Sequence, residues 1–197
     1  MRALMDDKTS LPTQPPSVTG ITADDVHVRR MALADVERVH LIDQLSFTMP
    51  WPVSSYRYEL TENKTSLAHV AEVVHDNDLT VVVGMIVTWL IIDEAHIATI
   101  AVHPNYRRLG IGKILLNISL QEAIRSGAKA ATLEVREGNR AASNMYAGFG
   151  FKVAGRRPRY YHDTQEDAII MTVNGLGEAY LNWLAEPESN TPPVTEE

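Results

Sequence analysis

Arg107-Arg108-Leu109-Gly110-Ile111-Gly112-Lys113 follows the apolar run Ile97-Ala98-Thr99-Ile100-Ala101-Val102 and opens a helical pattern at Ile114. A strand, a turn with two glycines and three cations, and then a helix start form a phosphate-binding arrangement. Free N–H groups at a helix N-terminus carry partial positive charge and point at any anion that docks there. Glycine lets the backbone approach that anion, because no Cβ stands in the way. The turn is not a Walker loop, since the Gly-Lys-Ser/Thr ending is missing, and a dinucleotide fingerprint would need a third glycine. Taken alone, it reads equally as a cradle for a ligand with several phosphates and as a solvated helix start.

Composition narrows the classes around this turn. A chain of 197 residues holds one domain with a proper core rather than two. There is no cysteine, which excludes disulfides, thiolate metal ligands and a cysteine nucleophile. A net charge of −7 argues against general nucleic-acid binding. No apolar run is long enough to span a bilayer, and Met1-Arg2-Ala3-Leu4-Met5-Asp6-Asp7 lacks the apolar stretch of a signal peptide. The expectation is a cytoplasmic protein with neither membrane nor nucleic-acid partner. His27, His40, His69, His75, His96, His103 and His162 are scattered without ligand spacing, so no metal is expected.

Residues 1–25, with Pro12, Pro15 and Pro16, have no apolar period and are expected to be a disordered extension. Residues 176–197 are expected to form a short helical piece and then an acidic, proline-containing tail. Between them, residues 26–175 alternate strand and helix signals. Val26–Met31 reads as a strand, Ala34–Phe47 and Ser54–Thr61 as helices. Ser66–Val74, Leu79–Ile91 and Ala95–Val102 read as an antiparallel meander with turns at Asp76-Asn77-Asp78 and Asp93-Glu94. After the glycine turn comes a helix that Gly127 is placed to end. Ala130–Val135 then reads as a strand, Arg140–Gly148 as a helix, and Phe151–Ala154 with Ala168–Val173 as a last strand pair. The sum is an α+β (mixed α/β) fold, its sheet mostly antiparallel with one parallel step.

Two further stretches carry chemistry. In Thr132-Leu133-Glu134-Val135-Arg136, strand alternation turns Glu134 away from Leu133 and Val135. A carboxylate on an interior strand implies a wet cavity or a salt bridge, and the strand alone favours the salt bridge. In Asn139-Arg140-Ala141-Ala142-Ser143-Asn144-Met145-Tyr146, Asn139 is a good N-cap and Tyr146 falls two turns later on nearly the same face. By itself this is a capped helix with a packed tyrosine.

The three elements in this order and spacing resemble the GNAT superfamily of acetyl-CoA-dependent N-acetyltransferases, whose Arg-x-x-Gly-x-Gly turn fits Arg107–Gly112. Asp93-Glu94-Ala95, Leu133-Glu134-Val135-Arg136, Gly148-Phe149-Gly150-Phe151, Tyr160-Tyr161 and Glu166-Asp167-Ala168-Ile169-Ile170-Met171 look like its RimI-type branch. That branch acetylates protein N-termini, notably the N-terminal alanine of a bacterial small-subunit ribosomal protein. The resemblance spans roughly Val26 to Val173 and implies a central mixed sheet, flanked by helices and splayed at the cofactor site. It implies that Ile100, Ala101 and Val102 pair with the pantetheine arm, that Arg107, Arg108, Leu109, Gly110, Ile111, Gly112 and Lys113 cradle the pyrophosphate, and that Asn139 holds the pantetheine end. Glu134 matches the family's general base and Tyr146 its general acid.

The chemistry is consistent with those roles. An N-terminal α-amine has a reference pKa of roughly 8, so about a tenth is neutral at pH 7, whereas a lysine amine near 10.4 is neutral less than about once in a thousand. A modest base therefore suits an N-terminal acceptor better. A tyrosine hydroxyl, with a pKa near 10, is able to protonate a thiolate whose thiol ionises at about 8.5. Trp51 and the Tyr160-Tyr161 pair are candidate walls of a peptide groove, with core packing equally open for Trp51. Glu94 is a candidate contact for a backbone amine or basic side chain. Arg156, Arg157 and Arg159 read equally as salt bridges or phosphate contacts. A lysine or small-molecule amine acceptor is the alternative within the fold, and a non-catalytic acyl-CoA-binding module the alternative outside it. The pairing of Glu134 with Tyr146 argues against the module.

Overall fold

Valine- and isoleucine-rich runs bounded by turn residues build most of this molecule. The structure is a computed structural model and describes residues 21–75, 79–186 and 191–193. The expected turn at 76–78 and nearly all of the N-terminal extension lie outside the described residues, as do 187–190 and 194–197 of the acidic tail. Seven strands form one sheet: β1 (Val26–Arg30), β2 (Ser66–Val74), β3 (Thr80–Ile91), β4 (Glu94–Val102), β5 (Ala130–Arg136), β6 (Lys152–Tyr161) and β7 (Glu166–Asn174). Their spatial order is β1-β2-β3-β4-β5-β7-β6, and every pairing is antiparallel except β4 with β5. The parallel step falls where the sequence puts it, around a helical crossover.

Helices cover both faces, which is why the interior strands are apolar on both sides. On one face α1 (Val36–Gln44) and α2 (Val53–Thr61) set Val36, Val39, Ile42 and Tyr56 against Val70, Met85 and Val87. On the other lie α3 (Ile111–Arg125), α4 (Arg140–Gly148) and α5 (Glu178–Ala185). There Ile111, Leu115, Leu116 and Leu120 are essentially fully buried against Ala71, Ile86, Ala95 and Leu133. Each such side chain stabilises the fold by about 1.5–3 kcal/mol relative to exposure. Tyr180 of α5 is anchored by its hydroxyl, which donates to the Phe149 carbonyl at 2.5 Å.

The structure differs from the sequence reading at several ends. Ordered chain begins before Val26: Ile21 packs on the core, and a 3-10 turn at Ala23–Asp25 is closed by Thr22 donating to the Asp25 carboxylate. The helix expected over 34–47 is a 3-10 turn at Leu33–Asp35 followed by α1, which stops at Gln44. Ser46 and Phe47 N–H close onto the Asp43 carbonyl, and Met49 precedes a proline, which disfavours helix. α3 starts at Ile111 rather than Ile114. β6 continues to Tyr161, well beyond Ala154, through two register shifts that accommodate Gly155 and Pro158.

Candidate active site

The site begins with a gap in the sheet. β4 and β5 pair only from Glu94↔Ala130 to Ile97↔Leu133. Beyond that register the strands part, while β4 stays bonded to β3 and β5 to β7. Ala98 is an extra residue in β4, because the β3 register passes from Val87↔Thr99 to Thr88↔Ile97; such a bulge bends the strand at that point. The inner edge of Ala98–Val102 is thus left to pair with something other than β5. Ile100 and Val102 are half-buried and Ala101 is buried.

At the end of this edge lies the glycine turn. Arg108 (φ 69°) and Gly110 (φ 81°) both take left-handed backbone, a geometry that gathers N–H groups into an anion-binding concavity. A Cβ built on Gly110 meets no atom within 4 Å, so packing leaves the space above the turn open. Gly110 is the N-cap of α3 and offers no side-chain acceptor to the first-turn N–H groups. The seven residues divide in their tasks. Arg107 turns back onto the protein, donating to the Val102 carbonyl at 3.0 Å and to Ser46 Oγ at 3.1 Å. Leu109 and Ile111 pack on the core, and Gly112 lies against Met145. Arg108 and Lys113 stay exposed. Asn139 caps α4, its Oδ1 accepting from Ala142 N at 3.2 Å.

Glu134 is the first β5 residue past the parting of the strands, and its carboxylate is 17% exposed. It is held from two sides: Arg157 Nη2 lies 3.1 Å from Oε1, and His96 Nε2 lies 3.5 Å from Oε2. Tyr146, on α4 at the opposite face of the sheet, packs on Phe151 and is 5% exposed. Burial, and next the neighbouring Tyr161, push its phenol above the ordinary tyrosine value, so it holds its proton at neutral pH. Tyr161 feels the charge of Glu134 as well, although burial is the main cause of its own upward shift.

An aromatic stack runs away from Glu134. His96 stacks on Trp89 at 5.7 Å, and Trp89 on Trp51 at 6.1 Å. Trp51 also packs on Tyr56, and its backbone N–H donates to the Asp43 carboxylate. From the β6–β7 side, Arg157 sits over the Tyr160 ring and Arg136 of β5 over the Tyr161 ring, at 5.6 and 3.9 Å. Arg136 then grips Asp163 at 2.8 Å, and Asp163 accepts from Thr48 Oγ1 of the α1–α2 loop. A polar strap thus joins that loop to the β6–β7 hairpin. Glu94 is not brought to Glu134: it pairs with Ala130, four residues earlier, which leaves about 13 Å of strand between them. Arg156 is engaged by Glu137 and Asp167, and Arg159 donates its backbone N–H to Asp167. Arg157, read from the sequence as either a salt bridge or a phosphate contact, forms a salt bridge, and its partner is Glu134. His96 and Trp89 lie beside this candidate site and escaped the sequence reading as site residues. The only signal for His96 was its place beside Ile97 at the end of the β4 apolar run.

A model of the acetyltransferase (GNAT) family matches residues 36–151. The chain belongs to the GNAT family. It is 37% identical over 146 residues to a putative ribosomal protein bS18-alanine N-acetyltransferase of Bacillus subtilis, covering 74% of this chain and 93% of the relative. It is 31% identical over 157 residues to the bS18-alanine N-acetyltransferase of Escherichia coli, covering 74% and 95%. The crystal structure of the ribosomal-protein-S18-alanine N-acetyltransferase from Escherichia coli superposes with a TM-score of 0.66 at 29% identity, over 76% of this chain and 94% of that one. This GNAT enzyme is an acetyl-CoA-dependent N-acetyltransferase. Its residues fit the cosubstrate, since an unpaired strand edge leads into a left-handed turn with open space above Gly110. Among the described residues of this GNAT chain, no group of three or more metal-ligating side chains occurs.

Proposed function

We propose that this enzyme acetylates the N-terminal α-amine of a protein, with the N-terminal alanine of ribosomal protein bS18, named for its relatives, as acceptor. The observation that carries the reading is Glu134 at the parting of β4 and β5, held between His96 and Arg157 on the acceptor side. Acetyl-CoA supplies an activated acetyl thioester. The edge of Ile100–Val102 and the turn Arg108–Gly112 hold it, with Arg108 and Lys113 adding positive charge at the exposed rim. Glu134 accepts the proton that the amine loses as it attacks, a task suited to an α-amine already about one-tenth neutral at pH 7. Tyr146 retains its proton until the departing sulfur needs one. Trp51, Tyr160 and Tyr161 flank the first residues of the acceptor. Residues 26–175 form the acetyltransferase domain in this reading, and a ribosomal acceptor sets the reaction in the cytoplasm.

The test is incubation with acetyl-CoA and hexapeptides that carry either a free N-terminal alanine or a blocked N-terminus with an internal lysine, read by mass spectrometry. A mass gain of one acetyl group on the free N-terminus alone is expected. Acetylation of only the blocked, lysine-bearing peptide would overturn the reading.

A further inference from the structure

Beyond the aromatic stack lies a groove of about 450 Å³ lined by Trp51, Ser54, Ser55, Tyr58, Glu59 and Trp89. Glu59 is 7% exposed, yet among the described residues no lysine, arginine or histidine pairs with it. Its Oε2 accepts from Trp89 Nε1 at 2.9 Å and from Asn63 Nδ2 at 2.8 Å. Those donors orient the carboxylate without neutralising it. Carboxylates this buried are normally paired with a cation, and faces of tryptophan and tyrosine attract cations too. The groove therefore has the chemistry of a cation site: one fixed carboxylate, two indole walls, a phenol at the mouth and two hydroxyls.

Its position links it to the acceptor. Trp89 is one stacked ring from His96, at 5.7 Å, and His96 is 3.5 Å from Glu134. An extended peptide rises about 3.4 Å per residue, so a chain whose α-amine lies at Glu134 brings its second and third residues to the level of Trp89. We propose that this groove is a specificity subsite that takes a lysine or arginine side chain at position two or three of the acceptor. The subsite rests on the N-terminal reading above and adds a sequence preference to it.

Two measurements on the full chain separate the claims. The first is binding of Ala-initiated hexapeptides with lysine or norleucine at position two or three, followed by quenching of tryptophan fluorescence. The second is steady-state acetylation of the same peptides. Wild type should bind and turn over the lysine peptide with a Kd and KM about tenfold lower at one of the two positions, the effect of one charge pair of about 1.4 kcal/mol. Glu59→Gln keeps an acceptor for Trp89 and Asn63, and should abolish that discrimination while leaving kcat on the norleucine peptide unchanged. Tyr58→Lys, at an exposed position, places a competing ammonium at the mouth and should have the same effect if Glu59→Gln does not fold. Equal binding of lysine and norleucine peptides at both positions, or an equal loss for both in Glu59→Gln, would overturn the subsite. Lysine-selective binding without acetylation of any free N-terminus would remove the N-terminal reading and leave the subsite standing.

Discussion

In the proposed reaction Glu134 and Tyr146 act from opposite faces of one sheet, Glu134 held by Arg157 and His96 and Tyr146 by packing on Phe151. Replacing either changes chemistry more than folding. Glu134→Gln and Tyr146→Phe should each lower kcat by about 10²–10⁴-fold, the usual contribution of a positioned acid or base. Their thermal midpoints should stay close to that of the parent; wild-type turnover in both would remove the assigned roles. His96→Phe preserves a flat ring on Trp89 but deletes the nitrogen beside Glu134, and kcat/KM should fall about tenfold, the size of one hydrogen bond to a charged group. Glu134, Tyr146 and the glycine turn were legible as candidates only in combination, through their order and spacing; each alone reads equally or better as ordinary structure. The meeting of His96 and Arg157 with Glu134 was not legible. Each meets Glu134 only through the sheet, His96 across the parallel β4–β5 register and Arg157 from edge strand β6, and no local periodicity encodes such a meeting.

Elements followed the sequence where one period ran without interruption. β2 and α4 have the bounds expected, and the β3–β4 meander differs by a residue. β6 was cut short in the reading because Gly155, Pro158 and five arginine or tyrosine positions break the alternation, while its ladder to β7 survives through bulges. The junction of β3, β4 and α3 makes its own prediction. A Cβ on Gly84 would lie 3.0 Å from Leu115 Cδ1, 3.2 Å from the Ala101 carbonyl and 3.3 Å from Ile111 Cγ2. Gly84→Ala should therefore press the first turns of α3 outward and raise KM for acetyl-CoA more than KM for peptide. At Gly110 the Cβ meets open space but the backbone is left-handed, so Gly110→Ala should cost about 1–2 kcal/mol. A denaturant midpoint measures that cost. An accompanying rise in Kd for CoA would show that the open space serves the ligand, and an unchanged Kd would show that it does not.

At the scale of the whole molecule, one buried histidine ties β2 to α3. His69 is 3% exposed; its Nε2 meets Glu122 at 2.5 Å, Arg30 pairs with the same carboxylate, and its Nδ1 has no partner. A second proton would bury an N–H with nothing to accept it. Burial first, and Arg30 second, bring its pKa down to about 4. The unfolded chain then binds more protons than the folded one below about pH 6.5. Stability should fall as pH drops from there to about 4 and lose nothing further to this group below that. His69→Gln, which keeps a donor for Glu122, should flatten the fall in urea midpoints over that interval. Asp163 acts in the same sense but in a lower window: its bonds to Thr48 and Arg136 hold its pKa near 2, so its contribution fades only below about pH 4 and the strap it forms stays charged throughout the range in which His69 acts. The strap ties the α1–α2 loop to the β6–β7 hairpin from opposite ends of the chain. If the acceptor enters beneath it, as the proposed function implies, a free chain end passes where the middle of a folded loop does not, and Thr48→Ala should raise kcat/KM for an internal lysine relative to a free N-terminus.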